Sequence, residues 1–115
     1  MKIPEWKTRT ELVMGTEALQ SLAKAHVLVV GLGGVGGYAA EMLARAGIGE
    51  MTIIDSDRVQ SSNRNRQIIA LKSTEGRFKT DLIEERLLDI NPELKVHKYT
   101  EFLKDDRMDV VLETR

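Results

Sequence analysis

One short segment most constrains the fold of this chain: an apolar strand, a glycine-rich turn and a helix in direct succession. His26–Val30 reads HVLVV, a continuous apolar run that predicts a strand buried on both faces. The turn GLGGVG follows at residues 31–36, and residues 35–46 have the apolar spacing of a helix. A strand, a G-x-G-x-x-G turn and a helix in this order are typical of a nucleotide-binding turn.

Each position of the turn has an expected role. Gly31 makes the tight turn, Gly33 lets the backbone approach a phosphate, and Gly36 lets helix and strand pack closely. The amide groups near Gly34 and Val35 would face phosphate oxygens, because the first N–H groups of a helix have no intrahelical acceptor. Glycines that serve packing alone are the plainer alternative.

The remaining pattern alternates strands with helices. Residues 51–54 predict a second buried strand, residues 79–90 an amphipathic helix, residues 94–99 a third strand, and residues 109–112 the start of a fourth. This order predicts an α/β fold: a Rossmann-like, three-layer αβα arrangement with a mostly parallel sheet. We expect residues 1–25 to form a helical arm and residues 26–115 a βαβαβ core. We expect the chain to be the N-terminal half of a larger nucleotide-binding domain; a small complete fold that covers its open side by dimerising is the alternative.

The residues after the second strand bear on which nucleotide is bound. Asp55 lies 24 positions past Gly31, where an acceptor for ribose hydroxyls belongs. Arg64, Arg66 and Lys79 follow, and such cations suit a triphosphate better than the dinucleotide of a dehydrogenase. They would stabilise the charge that develops on an α-phosphate and on departing pyrophosphate. A solvated charged loop and an ordinary lysine in a first helical turn form the competing interpretation.

The amino-acid composition excludes further classes of function and of binding site. The net charge of −1 gives no overall positive field that would call for nucleic acid. With no cysteine, disulfides, cysteine-ligated zinc and a cysteine nucleophile are excluded within this chain. The two histidines, His26 and His97, are far apart in sequence, so we expect no metal cluster and assign both to packing or surface roles. The longest apolar stretch, residues 27–40, is too short to span a membrane, and a cytoplasmic protein without a membrane partner is the simplest interpretation.

At these residues the chain resembles the ThiF/MoeB/HesA superfamily, adenylating enzymes related to the ubiquitin-activating enzyme. The resemblance runs from about residue 9 to residue 112 and includes the glycine turn, D-x-D at residues 55–57, N-x-x-R-Q at residues 63–67 and the lysine 12 positions later. It implies ATP as cofactor, with Asp55 on the ribose and the second acid, Asp57, beside it. Asn63, Arg66 and Lys79 would surround the triphosphate. Gln67 also belongs to the motif.

The resemblance also implies features beyond one nucleotide site. Arg9, six residues before Gly15, matches an arginine that reaches into the ATP site of the neighbouring subunit, which implies a homodimer. Together with Arg66 and Lys79, it completes the expected catalytic set. The family carries a Mg²⁺-linked aspartate just past the fourth strand. This sequence ends near that position, and Glu113 is not a safe substitute. We therefore assign no metal ligand within the chain, and we expect the chain alone to bind nucleotide weakly and to catalyse little.

Within the superfamily, the sequence is most similar to the tRNA threonylcarbamoyladenosine dehydratase branch. The segments that carry this similarity are RTEL at residues 9–12, VVGLGGVG at 29–36, NRNRQI at 63–68 and DINP at 89–92. The branch implies tRNA as partner. The threonylcarbamoyl carboxylate is adenylated, pyrophosphate leaves, and the carbamoyl group closes onto the activated carbon with net loss of water. Ring closure is intramolecular, so proximity contributes several kcal/mol, up to roughly 7–11.

Three other functions stay open at this point. One is the activation of a ubiquitin-like sulfur-carrier protein, with a carrier or sulfurtransferase protein as partner. The second is an NAD-binding dehydrogenase, against which Asp57, Arg66 and Lys79 argue. The third is a non-catalytic nucleotide sensor or scaffold, whose function would tolerate Arg66→Ala.

Overall fold

The computed structural model describes residues 3–102. The predicted fourth strand at residues 109–112, together with Glu113, lies outside the described residues. Within them, a short 3₁₀ turn, Glu5–Lys7, leads into α1, and two further 3₁₀ turns, Ser61–Asn63 and Lys72–Thr74, lie between β2 and α4. The helices and strands in chain order are α1 (Thr8–Met14), α2 (Thr16–Lys24), β1 (His26–Val30), α3 (Gly34–Ala46), β2 (Glu50–Ile54), α4 (Lys79–Ile90) and β3 (Lys95–Tyr99).

The three strands form one parallel sheet in the order β1-β2-β3. His26 pairs with Glu50 and Thr52 pairs with His97, so the strands run side by side without a large stagger. The units β1-α3-β2 and β2-α4-β3 are the crossovers that a parallel sheet requires. The predicted α/β class, the parallel sheet and the βαβαβ order are therefore confirmed.

Helices α3 and α4 pack together on one face of the sheet. Their inward residues share a core with alternate strand residues, because successive side chains of a strand point to opposite faces. The described core contains Val29, Leu32, Ala40, Ala44, Ile48, Met51, Ile53, Val59, Ile69, Ala70, Leu82, Ile83, Leu87 and Leu94. Full burial of one large aliphatic side chain contributes about 1.5–3 kcal/mol, so this layer holds the strand ends in place.

The boundaries of α3 and α4 follow local sequence signals. Gly47 adopts the left-handed conformation with φ of 102° directly after α3, and its N–H donates to the carbonyl of Ala44. Helix α4 begins at Lys79, as the sequence predicts, and ends before Asn91-Pro92. Within α3, Ala39 is exposed, whereas Ala40 is fully buried.

The N-terminal helices α1 and α2 are joined at Gly15. Gly15, with φ of 88°, occupies the N-cap position of α2. Thr16 is the first residue of that helix, and its hydroxyl donates to Glu11 Oε2 at 2.7 Å. Leu12 and Val13 lie on α1 and are each 86% exposed. None of the helices within residues 3–102 has the length and apolarity that crossing a bilayer would need.

Candidate functional site

The glycine turn between β1 and α3 is built by two glycines that the fold itself requires. Gly31 has φ of 85°, a left-handed conformation that favours glycine, and its N–H donates to the carbonyl of Ile54 at 2.8 Å. A Cβ on Gly36 would lie 1.7 Å from the carbonyl oxygen of Gly31, so only glycine fits there. The turn and close-packing roles predicted for these two positions are what the geometry shows.

The other two glycines of the turn are not required by packing. A Cβ on Gly33 would meet Gln67 Nε2 at 3.5 Å, and one on Gly34 would meet the carbonyl oxygen of Arg66 at 4.0 Å, which are ordinary contacts. Both residues have negative φ, so neither conformation demands glycine. The chain therefore leaves the start of α3 without side chains for a reason that lies outside its own described packing, which favours close approach by a ligand.

The amino end of α3 can bind an anion. Helix α3 begins at Gly34, and Gly33 in the N-cap position offers no side-chain oxygen to the first amides. The N–H of Gly37 is the first that donates back, to the carbonyl of Gly33 at 2.9 Å. The preceding amides of the first turn have no intrahelical acceptor, and the helix dipole adds partial positive charge there. This arrangement suits phosphate oxygens.

Asp55 joins the end of β2 to the glycine turn. Its Oδ2 accepts a hydrogen bond from the N–H of Leu32 at 2.7 Å, and its Oδ1 accepts one from the N–H of Asp57 at 2.7 Å. The carboxylate thus orders the turn and the D-x-D segment together, a structural role that the sequence did not predict. Because each carboxylate oxygen has two lone pairs, capacity remains for ribose hydroxyls.

Lys79 is buried beside the D-x-D segment. Its N–H donates to the carbonyl of Asp57 at 3.0 Å, and its Nζ lies 4.0 Å from Asp57 Oδ2. The Lys79 side chain is only 6% exposed, whereas that of Asp57 is 63% exposed. Burial therefore argues against an ordinary lysine in a first helical turn, whereas the loop residues Arg64 and Arg66 are exposed, as a solvated charged loop would be. A buried ammonium needs nearby negative charge, and one exposed carboxylate at 4.0 Å leaves room for more.

The N-x-x-R-Q stretch lies against the glycine turn. Asn63 Oδ1 accepts from the N–H of Gln60 at 2.9 Å and so caps the 3₁₀ turn Ser61–Asn63. Arg66 is exposed, and its Nη1 donates to the carbonyl of Ser62 at 3.0 Å. Gln67 is buried next to Gly33, and its Oε1 has no hydrogen-bond partner among the described residues. The structure thus places Gln67 against the turn, which the sequence could not do.

Arg64 and Arg66 differ in surroundings although both are basic. Arg64 Nε lies 3.4 Å from Glu75 Oε1 in a half-exposed ion pair at the surface. Arg66 donates to neutral oxygens only among the contacts described, at Ser62 and Asn65. The guanidinium of Arg66 therefore retains its charge for a ligand, whereas that of Arg64 is partly neutralised.

A cleft of about 220 Å³ opens at the carboxyl ends of the strands. In open parallel sheets, ligands bind at this edge. Glu101 and Phe102 line the cleft, and no sequence motif pointed to them; the signal was the end of β3 at Tyr99, which brings the following residues to this edge. The lining residues are Val30, Gly31, Ile54, Asp55, Ser56, Asp57, Glu101 and Phe102.

Arg9 is not part of this cleft. It is exposed on α1 and lines a separate surface hollow of about 750 Å³ together with Glu5, Trp6 and Thr8. This hollow is larger than the strand-end cleft, but it lacks the glycine turn and the acidic residue that give the cleft its chemistry. Within the described chain, the other predicted site residues lie around one sheet edge, and Arg9 does not join them.

The two histidines, which are far apart in sequence, lie close together in the sheet. His26 and His97 lie on β1 and β3, and their ring centroids are 5.7 Å apart. Their sequence separation gave no indication of this, because the parallel register of the sheet sets their proximity.

Comparisons with known proteins agree with this geometry. The ThiF family model matches residues 7–115. The chain is 46% identical over 106 residues to the tRNA threonylcarbamoyladenosine dehydratase of Escherichia coli, covering 90% of this chain and 40% of the relative. It is 40% identical over 92 residues to the molybdopterin-synthase adenylyltransferase of Salmonella typhimurium, covering 80% of this chain and 37% of the relative.

A solved structure shows the same fold. The crystal structure of the Escherichia coli tRNA N6-threonylcarbamoyladenosine dehydratase in complex with ATP superposes with a TM-score of 0.91 at 42% identity. The match covers 100% of this chain and 49% of that one. The chain thus spans less than half the length of these relatives, with 40% of the Escherichia coli sequence as an example. With the family model matching nearly its whole length, the chain belongs to the ThiF family.

Proposed function

We propose that this chain provides the nucleotide-binding part of an ATP-dependent adenylating enzyme, with ATP in the strand-end cleft. The observation that carries the proposal is the buried Lys79 ammonium beside Asp57, at the edge where the glycine turn and Asp55 meet. A dinucleotide site has no need for a buried cation there, whereas a triphosphate does. The ATP complex of the Escherichia coli dehydratase, which has the same fold, supports this choice of nucleotide.

In this proposal, each group around the cleft binds a different part of ATP. The first amides of α3 hold phosphate oxygens, and the bare Gly33 and Gly34 allow the phosphates to come within hydrogen-bonding distance. Asp55 accepts hydrogen bonds from the ribose hydroxyls with its remaining lone pairs. Asn63 and Arg66 approach the phosphates from the N-x-x-R-Q side.

In this proposal, positively charged side chains placed beside the phosphates catalyse the adenylation. An acceptor carboxylate attacks the α-phosphorus of ATP, the bond to the β,γ-diphosphate breaks, and an acyl-adenylate and pyrophosphate result. Negative charge develops on the α-phosphate and on the leaving pyrophosphate. The Lys79 ammonium and the Arg66 guanidinium stabilise it more strongly than water would, because they are positioned before the reaction. No protein nucleophile is required.

The proposed acceptor is the carboxylate of threonylcarbamoyladenosine in tRNA. Identity of 46% to the Escherichia coli dehydratase supports this substrate. After adenylation, the neighbouring carbamoyl group attacks the activated carbonyl carbon and expels AMP, which gives the cyclic product. Summed over both steps, one water is removed from the substrate and ATP is converted to AMP and pyrophosphate.

A second acceptor class is a sulfur-carrier protein with a C-terminal carboxylate. The specific observation in its favour is 40% identity to a molybdopterin-synthase adenylyltransferase. The chemistry in the cleft would be the same, since both acceptors present a carboxylate to the α-phosphate. The two proposals therefore differ only in which acceptor stimulates turnover.

The described part of the cleft does not fit a dedicated Mg²⁺ site. Asp55 accepts two backbone N–H groups and, in this proposal, uses its remaining lone pairs for the ribose hydroxyls, and Asp57 Oδ2 faces the Lys79 ammonium. Within residues 3–102, the cleft does not bring three His, Cys, Asp or Glu side chains into metal-binding proximity. Mg²⁺ prefers several oxygen ligands.

We further propose a cytoplasmic homodimer in which Arg9 of one subunit completes the ATP site of the other. The exposure of Arg9 and its position away from its own cleft support this arrangement. Mixing inactive Arg9→Ala and inactive Lys79→Met variants tests it. If subunits exchange, about a quarter of the sites combine two intact residues and activity reappears; persistent inactivity in exchanged heterodimers contradicts the proposal.

Pyrophosphate exchange tests the adenylation itself. Labelled pyrophosphate should enter ATP in the presence of tRNA that carries threonylcarbamoyladenosine, and not with a sulfur carrier. Arg66→Ala should lower the rate strongly, whereas the matched control Arg64→Ala, whose guanidinium is paired with Glu75, should retain it. Equal rates in the two variants would contradict the role of Arg66.

Thermal unfolding with ATP and NAD in parallel tests the nucleotide. A ligand at 100 times its Kd adds about 2.7 kcal/mol to the free energy of unfolding. Stabilisation by ATP and not by NAD is expected. Stabilisation by NAD alone would refute adenylation and favour a dehydrogenase.

A further inference from the structure

A second cluster of chemically active side chains lies on the sheet, apart from the cleft. His26 begins β1, Glu50 begins β2, and His97 lies in the middle of β3. The register pairs His26 with Glu50 and Thr52 with His97. Because Glu50 and Thr52 are two residues apart on one strand, all these side chains share one face of the sheet. That face is opposite to the one covered by α3 and α4, whose core takes Val29, Met51 and Ile53.

His26 has a buried nitrogen without a hydrogen-bond partner among the described residues. Its Nε2 lies 2.7 Å from Thr52 Oγ1, a hydrogen bond that fixes the ring. Its Nδ1 is buried and forms no hydrogen bond within residues 3–102, and it lies 3.8 Å from Glu50 Oε2. In neither neutral tautomer does Nδ1 form a hydrogen bond with a described residue: a lone pair on Nδ1 has no donor nearby, and a proton on Nδ1 is too far from Glu50 Oε2 for a hydrogen bond. A buried polar atom left unsatisfied costs about 1–3 kcal/mol, so it indicates a missing partner.

The other two side chains are positioned around the same space. His97 Nε2 and Glu50 Oε2 are hydrogen-bonded at 2.6 Å. One ligand atom from each of His26, Glu50 and His97 lies within 4.8 Å of the other two. The side chain of His97 is 36% exposed and that of His26 is 12% exposed, so the cluster is open to solvent on the β3 side.

We propose that His26, Glu50 and His97 bind a divalent transition-metal ion, Zn²⁺, through two imidazole nitrogens and one carboxylate oxygen. Two His and one Glu form a ligand set that Zn²⁺ uses, with water in the fourth position. Imidazole ligands favour Zn²⁺ over Mg²⁺ and Ca²⁺. The hydrogen bond between His26 and Thr52 is the outer contact that a metal-binding imidazole needs for its orientation.

The geometry requires only a small adjustment. Tetrahedral donors at Zn²⁺ bond lengths lie about 3.3 Å apart. The separation of 3.8 Å between His26 Nδ1 and Glu50 Oε2 is close to this value. His97 Nε2 must move away from Glu50 Oε2 by about 0.7 Å, and its ring proton must shift to Nδ1 so that Nε2 presents a lone pair. Since His97 is partly exposed, this movement does not disturb the core.

The metal would act on the sheet and not on ATP. His26 and Glu50 lie at the amino ends of their strands, and the cleft lies at the carboxyl ends. Four residue steps along a strand separate the two by about 13 Å. Zn²⁺ at the cluster would therefore connect β1, β2 and β3 and stabilise the sheet, without contact with the phosphates.

Metal titration of untagged protein tests the site in the absence of ATP, which itself binds Zn²⁺. Calorimetry should show one Zn²⁺ per chain, and Co²⁺ in its place should give the intense visible absorption of a four-coordinate site. Glu50→Gln and His97→Gln should each weaken Zn²⁺ binding at least 10-fold. Thr52→Val, which removes only the outer contact, should weaken it about 10-fold.

Glu75→Gln is the matched control, since Glu75 is an exposed carboxylate outside the cluster. It should bind Zn²⁺ as the wild type does. Undiminished affinity in both Glu50→Gln and His97→Gln would overturn the site. The lack of a four-coordinate Co²⁺ spectrum in the wild type would do the same, and that measurement does not depend on any variant folding.

Discussion

The strand-end cleft and the His26–Glu50–His97 cluster are assembled in opposite ways. The cleft takes its charged groups from segments that directly follow β1 and β2 and from the first residue of α4. The cluster takes one side chain from each of three strands, and only the sheet register brings them together. Local sequence order builds the first region, and tertiary pairing builds the second.

The two regions also differ in how their polar groups are satisfied. In the cleft, Asp55 accepts two backbone hydrogen bonds, so the site is ordered before a ligand arrives. In the cluster, His26 Nδ1 has no hydrogen-bond partner in the part of the chain that the structure describes. Groups that are already in position stabilise the charge that develops in a transition state. An unsatisfied buried nitrogen instead indicates a group that must be added.

Lys79→Met should produce the largest effect and should be confined to the cleft. The variant keeps the length of the side chain and removes the ammonium beside Asp57. Loss of one positioned charge-stabilising group lowers turnover by roughly 10²–10³. Pyrophosphate exchange measures this, with Lys72→Met, at an exposed position, as the control. Normal exchange in Lys79→Met would show that the buried ammonium does not act on phosphate.

Two alanine variants of the glycine turn should separate folding from binding. Gly36→Ala places a Cβ 1.7 Å from the carbonyl oxygen of Gly31, and we expect a loss of about 1–3 kcal/mol or more in the free energy of unfolding. Gly33→Ala meets only Gln67 Nε2 at 3.5 Å and should fold normally, but with weaker ATP binding. Urea unfolding and ATP titration measure the two effects. Equal ATP affinity in Gly33→Ala and the wild type would mean that no phosphate approaches that residue.

The same contrast explains what could be predicted from the sequence. The glycine turn, the position of Asp55 after β2 and the start of α4 at Lys79 depend on neighbours within a few residues, and these predictions are confirmed. Side-chain exposure in α1 could not be predicted, because Leu12 and Val13 have an apolar pattern without a described partner surface.

Sites whose side chains are brought together only by the pairing register of the strands could not be predicted either. Nothing near His26 or His97 in the sequence shows that β2 lies between them with Glu50 in reach. The place of Gln67 beside Gly33 depends likewise on how the loop after β2 folds back over the turn. The ribose, triphosphate and neighbouring-subunit roles of Asp55, Asn63, Arg66 and Arg9 stay predictions.

Asp55→Asn should have an intermediate effect in the cleft. Both oxygens of Asp55 accept backbone N–H groups, and an amide can keep only one acceptor. Hydrogen bonds to charged groups contribute about 1.5–3 kcal/mol each, so the free energy of unfolding should fall by an amount of this order. Denaturant unfolding checks it, and Asp89→Asn on the exposed side of α4 is the control. Unchanged stability would mean that the N–H of Leu32 needs no charged partner.

Glu41→Gln should give the smallest effect. It tests how a carboxylate outside both the cleft and the cluster contributes to the pH dependence of unfolding. Glu41 is buried on α3, and the hydrogen bond from Arg86, supported by Arg45, holds the pKa of its carboxyl below the ordinary value of 4.5. A folded-state pKa below the unfolded one means that this stabilisation is fully present above the unfolded pKa. It is lost as the pH falls through the folded-state pKa.

Wild type and Glu41→Gln should therefore differ in urea midpoint at neutral pH, and the difference should shrink as the pH falls below about 4.5. A comparison at fixed protein concentration and without ATP or metal keeps ligand binding out of the measurement. A difference that stays constant down to the acid transition would show that the Glu41 charge does not contribute through Arg86 and Arg45. The pH dependence of unfolding would then have to come from other carboxylates, such as Glu50, whose pKa is lowered by the hydrogen bond from His97.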